Sequence, residues 1–304
     1  MVAELVPESR DLDSIDAWKT LRHSRYVPLL RRSLARMRDA DGFAFARAIG
    51  FQIVLATLPA LIFFVAAAVW TASSTLQASM EGIITTLTPG PTSEVLEQAV
   101  DQGEDNARRN ALAMVLGGVT ALTSGAVAMS QIQQAGSRLY GIEEDRPLTS
   151  RYGMSLALSL SVGLLLAGAF VALAFGSTIA DAVEGDSVWV WLRWPLAALA
   201  VVIAMASLYK VAPNRAQPRL SWLIVGGLTT TGLLISFSAG LAVFLSLSST
   251  FGATYGPLAG LIGLLVWAQL AGIALLAGLA FAAQLEAERV EAAGVGPVGS
   301  EVAG

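Results

Sequence analysis

The sequence predicts an all-α fold: a polytopic bundle of six transmembrane helices with both termini cytoplasmic. A basic amphipathic helix at the membrane interface precedes the first span, and a short helix sits in the first outside loop. Three observations predict this fold. The 304 residues are 55% hydrophobic and only 14% charged, where soluble domains carry about 25% charged residues. Charged residues are spaced so as to leave long charge-free windows. The basic residues are divided very unequally between alternate connecting segments.

Ionisable side chains are costly at the centre of a bilayer, so windows without them are candidate spans. Residues 48–80, 110–137 and 152–180 are charge-free over 33, 28 and 29 residues, each enough for one helix of about 20 residues. The next window, from Trp194 to Tyr209, is shorter. It becomes a span if Trp189, Trp191 and Trp194 form an aromatic belt and Arg193 snorkels to the interface. From Leu220 to Leu285 no charge occurs for 66 residues. One helix of that length would be roughly 99 Å long, over three times the hydrocarbon core, so the chain turns back at SSTFGATYGP, 248–257. The spans are therefore placed at about 48–72, 111–130, 152–180, 188–209, 220–247 and 257–284.

Orientation follows from lysine and arginine. The N-terminal segment, the 131–151 loop, the 210–219 loop and the C-terminal tail together hold sixteen basic residues, against three in the other connections (Arg108, Arg109 and Arg193). These sixteen mark the cytoplasmic side. Residues 1–15 are expected as a disordered acidic tail, unlike a signal peptide. Residues 16–47 form the basic amphipathic segment, in which Leu30, Leu34 and Met37 recur at helical spacing and Pro28 opens a helix. The membrane domain covers 48–285, and 286–304 is a mostly disordered cytoplasmic tail. In the first outside loop, TPGPTSEVLEQAVDQGED reads as a turn, a Thr92 or Ser93 cap and a short helix burying Val95, Leu96, Ala99 and Val100. Its acids form a solvated face.

Several functions are disfavoured by composition. A net charge of −4 argues against nucleic-acid binding, which needs a basic surface. With no cysteine and His23 as the single histidine, neither a thiolate or histidine-rich metal site nor a serine–histidine triad can be built. No cofactor is expected. His23, lying among arginines, reads as a surface residue without a role.

Polar residues within spans each need a partner. They are Gln52 and Thr57 in span 1, Thr120, Thr123 and Ser124 in span 2, Thr229, Thr230 and Thr231 in span 5, and Gln269 in span 6. Pro59 is expected to kink span 1. Structural hydrogen bonds are the default reading, and a polar path through the bundle is the alternative. Small-residue ladders at Gly232, Ser236 and Gly240, at Gly256 and Gly260, and at Ala268 and Gly272 mark places where helices can approach closely.

The most polar stretch of the middle region is MSQIQQAGSRLYGIEEDRPLTSR, 129–151, the cytoplasmic elbow between spans 2 and 3. Its arginines are either positive-inside charges paired with Glu143, Glu144 and Asp145 or a site for anionic lipid headgroups. With RAIGFQIVLATLPAL in span 1, this elbow, APNRAQPRLSW before span 5 and YGPLAGLIGLLVWAQLAGIALLAG in span 6, the chain resembles the YihY/BrkB family over roughly residues 30–290. Arg138, Tyr140, Gly141, Arg146, Pro147 and Arg151 stand in that family's register, as do Pro213, Trp222, Tyr255, Gly256 and Trp267 as structural motif residues. The chain departs from the family at Gly136 and Ser137, where a Leu-Asn pair is usual. It also departs at Phe51, Gln52 and Ala56, and at Gly278–Ala282, where the family has Gly-Ala-Glu-Phe-Asn.

The resemblance implies a six-span bacterial inner-membrane protein whose relatives include some labelled as ribonuclease BN. The single histidine speaks against a metal-dependent ribonuclease. The expected function is transport or export of a lipid or other envelope component, with Gln52, Pro59, Ser124, Gln131, Arg138, Tyr140, Arg146, Arg151 and Gln269 as candidates for a substrate path or headgroup contacts. The alternative is a non-transporting envelope scaffold. An enzyme is not expected, because no nucleophile–base pair or metal constellation is visible. Membrane lipids with anionic headgroups are the expected partners.

Overall fold

The structure, a computed structural model, describes residues 4–6, 26–70, 97–98, 101, 111–142, 146–174, 186–215, 220–247 and 258–292. Some helix-end side chains lie outside this description, those of Trp189, Trp191, Arg193, Trp194 and Trp222 among them. So do His23, Glu143–Asp145, the turn carrying Tyr255 and Gly256, and most of the expected outside-loop helix. The chain is all-α: the described residues form α1 (Tyr26–Asp39), α2 (Gly42–Trp70), α3 (Ala111–Leu139), α4 (Leu148–Ala174), α5 (Asp186–Val211), α6 (Leu220–Leu247) and α7 (Leu258–Ala292), without strands. Four of these contain segments long and apolar enough to cross a membrane, namely Gly42–Phe64, Val115–Leu139, Leu223–Leu247 and Leu258–Arg289. Pro195–Val211 is a shorter apolar helix.

Each long helix packs against its neighbour in sequence, and α7 closes the ring by packing on α2 as well as α6. Short side chains permit this closure. A Cβ on Gly272 would lie 2.5 Å from the Ala46 carbonyl oxygen, and one on Gly50 would lie 2.8 Å from the Gln269 Cα. The backbones of α2 and α7 are therefore in direct contact, as the Ala268–Gly272 ladder anticipates. Gly226 and Gly278 make the equivalent crossing of α6 on α7, each facing the other's carbonyl oxygen. The Gly232–Ser236–Gly240 ladder plays no such part, since space around Gly232 and Gly240 is open. Helix α2 continues through Pro59, whose carbonyl lies against Gly117 of α3.

Three boundaries differ from expectation. The elbow is mostly helical, because α3 continues to Leu139 and α4 begins at Leu148. Gln, Ser and Arg carry a helix beyond the apolar run as well as they make a loop. Gly141, with φ 78°, ends α3 through a Schellman motif. Ile142 N–H donates to the Ser137 carbonyl at 2.9 Å and Gly141 N–H to that of Arg138 at 3.1 Å. Helix α7 runs on to Ala292, past the expected end of span six, with Glu286 buried. Residues 4–6, expected within a disordered tail, are docked: Val6 is 1% exposed and its N–H donates to the Tyr140 carbonyl at 3.1 Å.

Helix α1 packs on the protein by a face that includes only Met37 of the Leu30–Leu34–Met37 stripe. Met37 is buried, but Leu30 and Leu34 are exposed. Leu29, Ser33, Arg36 and Met37 form the inward side, with Leu29 clustered against Val225, Phe281 and Leu285. The main core gathers at this end of the bundle, uniting Val6, Met37, Leu139, Tyr140, Leu208, Tyr209, Leu279, Ala280, Ala283 and Ala287.

The backbone contact of α2 with α7 gives a direct test. Gly272→Val is expected to lower the thermal midpoint of the purified protein in detergent, because overpacking of this kind costs about 1–3 kcal/mol. Gly240→Val, on an open face, should leave the midpoint within error of the parent.

Candidate functional site

The four basic segments that sequence places on one side meet at one end of the bundle. Contacts there join residues 4–6, the α1–α2 corner, the link between α3 and α4, the residues after α5 and the last turns of α7. The centre is an ion pair between Arg215 and Glu286 whose side chains are 4% and 1% exposed. Arg215 also donates to the Val6 carbonyl at 2.6 Å and lies over the Tyr140 ring, 4.5 Å from its centroid. A guanidinium suits this place because its planar fork serves a carboxylate, a carbonyl and an aromatic face together.

A second buried arginine binds the same segments from α1. Arg36 donates to Gln284 Oε1 at 3.1 Å, to the Glu4 carbonyl at 2.8 Å and to the Leu139 carbonyl at 3.0 Å. The Leu139 carbonyl is one of the acceptors left over at the end of α3. Residues 4–6 are thus held through their backbone by Arg36, Arg215 and Tyr140, with only the Val6 side chain inserted.

Arg146 forms a third node. It donates to Gln133 Oε1 at 2.8 Å, to the Pro213 carbonyl at 3.1 Å and to Asn214 Oδ1 at 3.2 Å. Gln133 passes the connection on, donating to Ser155 Oγ at 2.8 Å. The Asn214 N–H in turn donates to Ser137 Oγ at 3.3 Å. Burial lowers the Arg146 pKa from its ordinary value. Its hydrogen bonds all run inward, so Arg146 pins the α3–α4 link to the residues after α5.

The departures from the family at Gly136 and Ser137 fit this contact. A Cβ on Gly136 would lie 3.3 Å from the Pro213 nitrogen, and Ser137 supplies the acceptor for Asn214.

The other candidate residues are dispersed. Arg138 is half-exposed, pairs with Asp41 at 3.4 Å and stacks 5.1 Å from the Phe45 ring centroid. Arg151 sits 5.8 Å from the Tyr152 ring centroid. Gln52 and Ser124 are half-buried on α2 and α3. Gln131 has a buried side-chain oxygen with no hydrogen-bond partner among the described residues. Gln269 is exposed on α7, and Trp267 donates to Ser238 Oγ of α6 at 3.0 Å.

Within the bundle, Tyr209 of α5 donates to the Leu275 carbonyl at 2.7 Å and shares a 2.5 Å hydrogen bond with Thr230. Thr230 Oγ1 also lies 3.2 Å from the Ala274 carbonyl, and because each hydroxyl has one proton to give, the two hydroxyls donate in two of these three contacts at a time. This arrangement clamps α5, α6 and α7 together. Among the described residues no group of three or more His, Asp or Glu is placed to hold a metal.

Sequence reasoning missed Arg36, Arg215, Gln133, Gln284 and Glu286. A signal for two of them exists: Glu286 is the acid that ends the 66-residue uncharged run, and Arg215 lies just before that run begins.

A family model described as Virulence factor BrkB matches residues 33–298. The chain belongs to the BrkB family. It is an integral membrane protein with several apolar helices. It is 26% identical over 260 residues to the putative ribonuclease-like protein YfkH of Bacillus subtilis (strain 168), covering 83% of this chain and 93% of that one. It is 28% identical over 184 residues to a UPF0761 membrane protein of Halorhodospira halophila, covering 59% of this chain and 40% of that one. No solved structure matches it significantly.

Removing one partner of the central ion pair should strand a buried charge. Glu286→Ala is expected to destabilise this BrkB-family protein by about 3–5 kcal/mol, and the double variant Arg215→Met with Glu286→Leu by much less. Melting curves of the three proteins in one detergent check this ordering.

Proposed function

We propose that this protein crosses the bacterial plasma membrane six times with both ends in the cytoplasm, and that it moves or exports a lipid or other amphiphilic envelope component. The observation that carries the reading is uneven burial. The span in α7 is 56% buried within the protein, whereas those in α2 and α6 are each 17% buried and that in α3 is 22% buried. A solute pore needs a polar lining enclosed by protein. An amphiphile instead uses faces that stay open to the bilayer and keeps its own tails in lipid.

The arginine-rich end closes the bundle on one side, which leaves lateral access between the lightly buried helices as the route. Gln131, with an unmet acceptor, and the half-buried Gln52 and Ser124 on the facing helix pair are the polar groups proposed to receive a headgroup. Arg138 and Arg151 would meet headgroups at the cytoplasmic surface, where a positively charged margin attracts anionic lipid. No catalytic role is assigned to any residue.

The second reading is a non-transporting envelope scaffold. It is favoured by the inward-directed hydrogen bonds of Arg36, Arg146 and Arg215, which describe a structural joint as well as a closed gate.

Flux of a labelled phospholipid across proteoliposome membranes separates the two. Transport predicts movement above that of empty liposomes, slowed about tenfold by Gln131→Leu, the equivalent of roughly 1.4 kcal/mol on the barrier. Equal rates with and without protein would leave the scaffold reading. A reporter fused to the C-terminus should be active in the cytoplasm; a periplasmic position would overturn the topology.

A further inference from the structure

Arg38 and Asp39 end α1 in an open cleft of about 840 Å³ whose other walls are Leu34, Ala35, Asp41 and Phe43. Three nearby charges are engaged elsewhere, Arg32 with Glu288, Arg36 with Gln284 and Asp41 with Arg138, while Arg31 and Arg47 stand exposed on the turns beyond. Arg38 and Asp39 make no ion pair or hydrogen bond through their side chains among the described residues. A cation and a carboxylate thus face the same cleft, each without an internal partner. Apolar side chains flank them, since Leu34 is 54% and Phe43 40% exposed.

We propose that this cleft binds a phospholipid with a primary-amine headgroup. This deepens the lipid partnership proposed above and rests on α1 lying at the membrane surface. Charge complementarity selects the occupant. An anionic headgroup would be attracted by Arg38 but repelled by Asp39. A zwitterion meets both: its phosphate takes hydrogen bonds from the Arg38 guanidinium, and its ammonium donates to the Asp39 carboxylate. The last turn of α1 adds the negative end of the helix dipole beside Asp39, which favours a cation there.

A primary ammonium has N–H groups to give to a carboxylate, whereas a quaternary choline headgroup has none. Leu34 and Phe43 then lie where the first methylenes of the acyl chains emerge. The depth is consistent with this, because exposed Leu30 continues the apolar side of α1, and on α2 exposed Phe51 and Leu55 do so beyond the exposed Arg47.

The test is native mass spectrometry of the full-length protein in detergent, titrated separately with phosphatidylethanolamine, phosphatidylcholine and phosphatidylglycerol of matched acyl chains. Phosphatidylethanolamine should bind the parent protein more tightly than either other lipid by roughly threefold to fivefold, the scale of an exposed ion pair. Asp39→Asn should abolish its advantage over phosphatidylcholine and raise the relative binding of phosphatidylglycerol. Arg38→Gln should weaken all three. Both side chains are exposed and unpaired, so the variants should melt like the parent.

Equal binding of the ethanolamine and choline lipids, a preference that survives Asp39→Asn, or tightest binding of phosphatidylglycerol to the parent would overturn the proposal. Absence of flux in proteoliposomes, with this selectivity intact, would fall on the transport reading alone.

Discussion

The closed end of the bundle depends on one buried ion pair, Arg215 with Glu286. Two opposite charges removed from water cost more than their attraction returns unless their remaining hydrogen-bonding groups are also served. Here the Val6 carbonyl and the Tyr140 ring serve two further sides of Arg215, while its Nε is buried without a hydrogen-bond partner among the described residues. The pair therefore requires residues 4–6, the end of α3 and the end of α7 to be in place together. Arg36 repeats the arrangement from α1, using Gln284, two residues before the acid, in place of a carboxylate. The two arginines divide the carbonyls of Glu4, Val6 and Leu139 between them. The order at this end is thus carried by polar groups, although the chain is mainly apolar.

Farther along the bundle the constraint is different. In lipid, apolar side chains gain little from meeting one another, so helices associate where backbones can approach. Gly50 and Gly272 bring α2 onto α7, and Gly226 and Gly278 bring α6 onto α7. The sequence stretch that departs from the family pattern, Gly278 to Ala282, lies at the second crossing. Ala280 is fully buried in the main core, and a Cβ on Gly226 would lie 2.9 Å from that of Ala282. The acid buried at this end of α7 is Glu286, at the charged joint.

Helix identity and approximate position were legible in the sequence because a bilayer penalises charge, and the spacing of charged residues records that penalty. The grouping of the basic segments at one end was legible for the same reason. Helix ends were not. Nothing in Gln131, Gln133, Gln134 and Arg138 distinguishes a helix that protrudes from the apolar layer from a loop, and the decision lies with Gly141 and its two backbone hydrogen bonds. The apolar stripe of α1 did not tell which side packs on the protein: Leu30 and Leu34 are exposed, as on a helix lying at an interface, and only Met37 is buried. The buried side is set by Arg36, a residue whose type argues for exposure until its partners 103 and 248 positions away are known. The polar candidates within the spans were identified by type alone, and the structure disperses them.

The joint at the arginine-rich end has a consequence for biogenesis. Arg36 and Arg215 are synthesised long before Gln284 and Glu286, so during insertion they stand in water as ordinary retained charges. Only the arrival of the last helix gives them a place inside the protein. On the topology proposed above, the same two side chains would first count among the retained charges and later take their places once α7 has packed. A nascent protein stalled before α7 would keep those charges solvated and residues 4–6 untethered, a state that quality-control machinery could tell apart from the folded molecule.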